Sequence, residues 1–433
     1  MKKVKFNFCI LFLVNLTTVV NVDAQVWLEK INKGLKTATE IAYNAAAFTQ
    51  LASMTTNQVN STVNVIKGRE ANGQQLANGK TTKPKIKNGE FKNLDWEPIT
   101  YFDNQLFPSC IIGMATYTGE TKGELKALGS PVGFRLKSKY ANMPVKWELE
   151  CSENKYFEKI NGEIVYANPN QEVFFMPEIQ WKYDVLAKQE ASTPVTITYR
   201  LFDDDGKKVE KLVPAYMRSI NDCIFRYKDT KLDFLFTAFI QEEHPEIDKI
   251  LREALDTKII KAITGYQEGS DIAVHKQVEA VWRVLHDRGF QYSSVTRTAG
   301  LGNGVYSQAV RTFDNAVKTR QANCVDGSIV FASILRKIGI HTTLFLTSNH
   351  CFLGYYTDED RTKLIVLETT LLSNAQFIDA AKNEKEKKEA YTNQFILAKA
   401  KGMENYKNYK TANDLLMIDV DVCRNYVKPI PFQ

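Results

Sequence analysis

The chain has 433 residues, 44% of them hydrophobic and 24% charged, with a formal charge of +6. That is ordinary globular composition, with length for two or three domains. So weak a charge bias, without a finger, helix-turn-helix or RNA-binding signature, excludes nucleic acid as the expected partner.

Residues 1–24 read as a secretory signal peptide. Met1 to Lys5 is a basic start, Phe8 to Leu16 a short apolar core, and Val22-Asp23-Ala24 a small-residue cleavage site before Gln25. The apolar run is short for a membrane span and is interrupted by Asn15. The expectation is therefore an exported chain, periplasmic, cell-surface or secreted, with no stable membrane insertion after cleavage. Losing Lys2, Lys3, Lys5 and Asp23 would take the charge from +6 to +4. Of seven cysteines, only Cys9 lies in this leader. Six in so long a chain do not make a disulfide scaffold. Cys110 with Cys151 is one candidate bridge, and an all-reduced set is the alternative.

Residues 25–66 read as an N-terminal helical segment. Leu28, Ile31, Leu35, Ala38, Ala42, Ala45, Thr49 and Ala52 alternate three and four apart. The late seam residues are small, which favours packing on the parent chain. Self-association through 26–56 stays open. Residues 67–93 are rich in Gly, Asn, Gln, Lys and Thr and read as a linker. Whether 26–93 covers the site as a pro-segment is also open.

Residues 94–226 read as all-β. Pro108–Tyr117, Val145–Cys151, Val173–Leu186 and Pro194–Phe202 carry dense β-branched and aromatic residues. Asn161-Gly162 predicts a hairpin turn. Asp203-Asp204-Asp205-Gly206 reads as a plain turn, because position 214 holds Pro where a calcium loop needs Glu. An immunoglobulin-like sandwich is the expected architecture.

Residues 227–433 carry the chemistry. Asn323 is a good helix N-cap, and Cys324, Ser328, Phe331, Leu335 and Ile338 follow at helical spacing to a stop at Gly339. A first-turn side chain meets the positive end of the helix dipole, and the unpaired N–H groups there can receive an oxyanion. His350 opens one apolar run, 350–356, and Glu368 closes another, 363–369. A hairpin loop centred near Glu359 sets Glu368 directly across from His350 on the same face. Cys324 then has a base in His350 and an orienting carboxylate in Glu368. Cys351 points to the opposite face from His350 and reads as a core thiol.

The stretch Ser307-Gln308-Ala309-Val310-Arg311, Ala322 to Ser328, Phe331 to Leu335, Asn349-His350-Cys351-Phe352 and Leu367-Glu368-Thr369-Thr370 resembles a bacterial transglutaminase-like domain. That superfamily has a papain-like Cys-His-Asp fold, and its members include transglutaminases, peptidases, other amide hydrolases and inactive proteins. The resemblance implies Cys324 as nucleophile, His350 as base and Glu368 as third member. It implies Gln308 as a side-chain oxyanion donor or a structural brace, with Asn323 supporting the nucleophile. Glu stands where Asp is commoner in the superfamily. The whole chain is then α+β: a transglutaminase-like core preceded by an immunoglobulin-like sandwich and an N-terminal helix.

Zinc at Cys324, His350 and Cys351 is disfavoured, since no Cys-x-x-Cys or His-x-x-x-His accompanies them. No metal or cofactor is expected. His275 and His286 read as surface residues, and His341 as the start of a strand. The expected function is thiol-dependent acyl transfer on amide bonds of a protein or peptide, by hydrolysis or transamidation. The alternative is a catalytically silent scaffold that binds a cell-surface or secreted partner.

Overall fold

The computed structural model describes residues 94–432, apart from 117–127, 140–143, 166–168, 204–205, 294–297, 301–303, 375–377 and 379–380. The expected signal peptide, N-terminal helix and linker lie outside the described residues, as do Asp204 and Asp205. Helices and strands are mixed along the chain in several sheets. Among the described residues no helix is long and apolar enough to cross a membrane.

The first eight strands are β1 (Leu94–Thr100), β2 (Gln105–Leu106), β3 (Val132–Ser138), β4 (Pro144–Cys151), β5 (Ile160–Val165), β6 (Glu172–Phe175), β7 (Thr193–Phe202) and β8 (Lys208–Met217). They form a three-stranded sheet, β1-β3-β6, and a five-stranded sheet, β2-β8-β7-β4-β5. Period-two alternation turns Val195, Ile197, Tyr199 and Leu201 of β7 inward. Phe134 of the smaller sheet meets Trp147 and Tyr199 of the larger one, with ring centroids 5.9 and 5.3 Å apart. These aromatic contacts join the two sheets.

Three local expectations fail here. Val173–Leu186, expected as strand, is strand only as far as Phe175 and ends in the short helix Tyr183–Ala187. Asn161-Gly162 is no turn: both residues lie within β5, which pairs with β4 throughout its length. Gly162 stands opposite Trp147, and a Cβ there would come within 2.8 Å of the indole. The glycine makes room for a ring instead of reversing the chain. Pro108–Gly113, expected as strand, is helix α1, with Pro108 in its first turn. Every residue of α1 is buried, so its apolar run has no polar face to reveal its period.

Strand β9 (Asp222–Tyr227) leaves the β-rich region and pairs with β13 (Val305–Ala309). With β10 (Thr230–Lys231) and β12 (Thr298–Gly300) they form the sheet β10-β9-β13-β12. Short parallel strands β11 (Gln291–Tyr292) and β14 (Gln321–Ala322) lie beside the start of a central helix. The last sheet is antiparallel, in the order β17 (Leu364–Leu367), β16 (Cys351–Tyr356), β15 (Thr342–Leu346), β18 (Leu416–Asp419).

Helices α2 (Pro245–Asp256), α3 (Asp271–Asp287), α4 (Cys324–Lys337) and α5 (Glu384–Thr411) pack around these strands. Helix α4 is the central one, buried from Val325 through Leu335 and set against β15 and β16. Helix α5 buries Ala390, Tyr391, Gln394, Phe395, Ala398 and Gly402 along one face. One apolar core runs through both regions, from Leu94 to Ile430. His275 and His286 are not free surface groups. His275 bonds the Tyr355 hydroxyl at 2.9 Å, and His286 packs on the Tyr391 ring. His341 belongs to an ion network, 2.8 Å from Asp421, which also binds Arg336 and Arg361.

Candidate active site

Cys324 is the first residue of α4 and is half-buried. The cap that places it is local chemistry. Asn323 Oδ1 accepts from the backbone N–H groups of Val325 and Asp326 at 2.8 and 2.9 Å. Asp326 returns the contact by accepting from Asn323 N–H at 3.1 Å, which completes a capping box. Asp326 is fully buried and also accepts from the backbone N–H of Arg311 at 2.9 Å and its Nη1 at 2.6 Å. The helix start is thus anchored by a buried ion pair to the end of β13. Gly339, just past the helix, has φ +80°, the left-handed conformation that ends such helices.

His350 sits just ahead of β16 in a loop held from both sides. Its N–H donates to Thr347 Oγ1 at 2.9 Å, and its carbonyl accepts from Thr347 N–H at 2.9 Å. Ser348 donates twice to Asp414, at 3.0 and 2.7 Å. Glu368 follows β17 and caps the 3-10 turn Thr369–Ser373. The register differs from expectation. Leu353 pairs with Leu367 and Tyr356 with Leu364, so the hairpin is centred on Asp360 and not on Glu359. Continued outward, that ladder puts Phe352 across from Glu368, so His350 is its diagonal neighbour. An offset of two residues keeps the face, where an offset of one would have reversed it.

The side chains meet across the diagonal. His350 Nε2 lies 2.7 Å from Glu368 Oε2. The Cys324 side chain is near enough to act on the imidazole and helps to raise it. With Nε2 taken by Glu368, Nδ1 is the nitrogen left for the sulfur. Each Glu368 oxygen has two donors. Oε2 also accepts from Asn405 Nδ2 at 2.8 Å. Oε1 accepts from the N–H and hydroxyl of Thr370 at 3.1 and 2.6 Å.

These contacts set the charges. Burial opposes ionisation of His350 and is the largest influence on it. Cys324 and Glu368 together, through contact and negative charge, outweigh it and raise the imidazole to about 10. Burial likewise pushes Glu368 up. The bond and charge of His350, with the two bonds from Thr370, overcome it and hold Glu368 below the usual carboxylate range. Cys351, one residue on, is held well above the ordinary thiol range, first by burial and then by the charge of Cys324.

Gln308 lies in β13 between Thr298 and Cys223. Its side chain has no hydrogen bond to Cys324, His350 or Glu368 among the described residues. The six described cysteines are all free, so Cys110 and Cys151 are not bridged. Both are buried, and burial is the first cause that pushes each thiol up, Cys151 to about 11. Among the described residues no group of three or more His, Cys, Asp or Glu side chains is placed to hold a metal ion.

No family model matches the chain, and no curated protein matches it.

Asn405 was missed by sequence reasoning. It lies on α5, thirty-seven residues after Glu368, within a charged helical stretch where nothing marks one amide out. Arg311 and Asp326 were also missed as a pair, although both stand in the quoted motif. The signal was there: an Asp at the third helical position completes a box with Asn323.

Proposed function

We propose that the chain is an exported thiol-dependent acyl-transfer enzyme acting on amide bonds of proteins or peptides. In this reading a transglutaminase-like core follows an immunoglobulin-like sandwich. One observation carries it: His350 Nε2 lies 2.7 Å from Glu368 Oε2, and the imidazole is raised by both Glu368 and Cys324, whose sulfur stands on the first turn of a helix. The basic and apolar N-terminal residues support export. The aromatic contacts between β3 and the sheet of β4 and β7 support the sandwich.

The chemistry follows from the contacts. The Cys324 sulfur attacks the amide carbonyl carbon, forming an S–C bond and an oxyanion beside the Cys324 N–H, since Asn323 already occupies the N–H groups of Val325, Asp326 and Gly327. The oxyanion collapses and the C–N bond breaks. His350 gives its proton to the leaving amine, and an acyl-enzyme remains. Water then yields the carboxylic acid, or a second amine yields a new amide, and the thiol is restored. Glu368 keeps the imidazole oriented and its positive charge balanced throughout.

The test is alkylation of residues 25–433 by iodoacetamide across pH, with the modified cysteine mapped by mass spectrometry. Fast modification of Cys324 well below about pH 8, lost in His350→Ala, is expected for a thiolate–imidazolium pair. Modification that survives His350→Ala would remove the pair from the account. Cys324→Ala should abolish amide turnover with the fold intact. A Cys324→Ser variant as active as the parent would end the nucleophile assignment.

A further inference from the structure

A cavity of about 660 Å³ borders the loop that leads into His350. That is the size of sites that take a small molecule or a few peptide side chains. Residues of β9 and β10 form one wall, and the ends of β15 and α5 with the start of β18 form the other. Thr347 and Ser348 belong to the second wall. Ser348 stands two residues before His350, a span of about 7 Å at most. An extended peptide with its amide at the imidazole is long enough to reach the cavity within a few residues.

Arg226 is the charged group there that the fold leaves unused. Its guanidinium lies over the Tyr306 ring, 3.8 Å from the centroid. It makes no hydrogen bond and no ion pair among the described residues. Nε is buried, whereas the two terminal nitrogens, equally without partners, are not. Pairing of β9 with β13 uses only the Arg226 backbone. Stacking on Tyr306 holds the plane of the guanidinium and leaves the terminal N–H groups for a ligand.

The surrounding charges call for an anion. Lys231 and Lys410 line the cavity with Arg226. Of its two carboxylates, Asp414 is taken up by the N–H and hydroxyl of Ser348, at 3.0 and 2.7 Å. Burial pushes Asp233 up to about 6, and Lys231 comes ahead of Arg226 among the charges that oppose the rise. Three cations against two acids leave a surplus of one positive charge, which a single carboxylate neutralises. A phosphate dianion would meet both aspartates with twice the charge. A planar carboxylate also matches two guanidinium N–H groups side by side.

We propose that this cavity is an extended substrate site that takes a glutamate or aspartate side chain, a few residues from the scissile amide, on the terminal nitrogens of Arg226. Calling the peptide a substrate rests on the acyl-transfer reading of Cys324, whereas the carboxylate site itself does not.

The probes are dye-labelled, capped hexapeptides of alanine and serine with one glutamate moved through the six positions, and the same series with glutamine. Binding to residues 25–433 carrying Cys324→Ala is read by fluorescence anisotropy. At one or two neighbouring positions glutamate should bind about tenfold tighter than glutamine. Arg226→Gln in the same background should bring that ratio to near one. Phenylglyoxal modification of Arg226, mapped by mass spectrometry without the substitution, should be slowed by the glutamate peptide and not by its glutamine twin. That measurement decides the place even if the variant does not fold. Equal binding of the two series at all six positions, or a glutamate preference that leaves Arg226 unprotected, overturns the site. Glutarate that displaces the peptide at equal concentration makes the cavity a site for a small acid and overturns the substrate assignment. In the parent the glutamate peptide should also slow iodoacetamide labelling of Cys324, and binding without that slowing overturns the same assignment. Fast, His350-dependent labelling beside equal binding of the two series leaves the acyl-transfer reading standing without the site. Slow labelling indifferent to His350→Ala, with the glutamate preference retained, overturns the acyl-transfer reading and leaves a carboxylate site without a substrate role.

Discussion

Replacing Glu368 by Gln removes one charge and almost no volume, which isolates the electrostatic part of the site. The two partners of His350 lift it from its ordinary 6.5 to about 10. At about 1.4 kcal/mol per tenfold, that is on the order of 5 kcal/mol in favour of the imidazolium. Glu368 is one of the two groups that raise His350 against burial, so removing its charge should bring the imidazole down from about 10. The amide also cannot satisfy the donors around it. Its NH2 group must face either Thr370 N–H or His350 Nε2. The second choice turns Nε2 into an acceptor and leaves a proton on Nδ1, the nitrogen that takes the thiol proton in the proposed mechanism. A tautomer error of this kind lowers turnover by about 10⁴-fold in a serine triad. The assay is a pH titration of ring-labelled histidine by NMR, in a chain with five histidines. Because the folded value lies above the ordinary one, the stability that His350 contributes is complete below about 6.5 and is lost as pH rises through about 10. Glu368→Gln should lose it earlier. If His350 titrates near 6.5 in the parent, or does not move in Glu368→Gln, the reasoning fails.

Two further changes test what holds the site together. Arg311→Leu leaves the buried Asp326 carboxylate without its ion pair and should cost about 3–5 kcal/mol in urea denaturation. Arg311→Leu with Asp326→Asn should recover part of the loss, and a cost under about 1 kcal/mol for the single change would contradict the pairing argument. Gly402→Ala would stabilise an ordinary helix, but here the new Cβ meets Val366 O at 2.5 Å. Helix α5 must then move off β17 and carry Asn405 away from Glu368. A stability loss of about 1–3 kcal/mol, read as a lower thermal midpoint, is expected, with slower alkylation of Cys324. A midpoint that rises instead would show that the helix has room to spare.

The start of α4 was legible because its determinants are adjacent in sequence: an N-cap, a run of buried residues and a glycine that adopts positive φ. The shared face of His350 and Glu368 was legible for a different reason. Strand parity is insensitive to a register error of two, so the wrong loop centre still gave the right face. What failed depended on a partner far along the chain. Gly162 looks like a turn until Trp147 is placed across from it. Pro108–Gly113 looks extended because burial on all sides erases its helical period. Strand β9 could not be assigned to a sheet before β13 arrived to pair with it, some eighty residues later. Asn405 is the extreme case, since its role exists only after α5 has docked on β17.

The longer acid at position 368 follows from the register. A residue directly across an antiparallel pair has its Cβ about 4.5–5.5 Å away, whereas a diagonal neighbour is about 7–8 Å away. Glu368 is diagonal to His350 and still reaches Nε2 at 2.7 Å. The extra methylene makes up the difference. Glu368→Asp retracts the carboxylate by about 1.5 Å, which breaks the contact with His350 and pulls the other oxygen from Thr370 N–H. The charge stays nearby, so the His350 pKa should fall less than in Glu368→Gln. Orientation is lost, so Cys324 alkylation at neutral pH should slow at least as much as in Glu368→Gln. That ordering separates the two services of the carboxylate, because one variant keeps the charge and the other keeps the reach. A Glu368→Asp variant that alkylates as fast as the parent would mean that charge alone is enough and that the diagonal placement has no consequence.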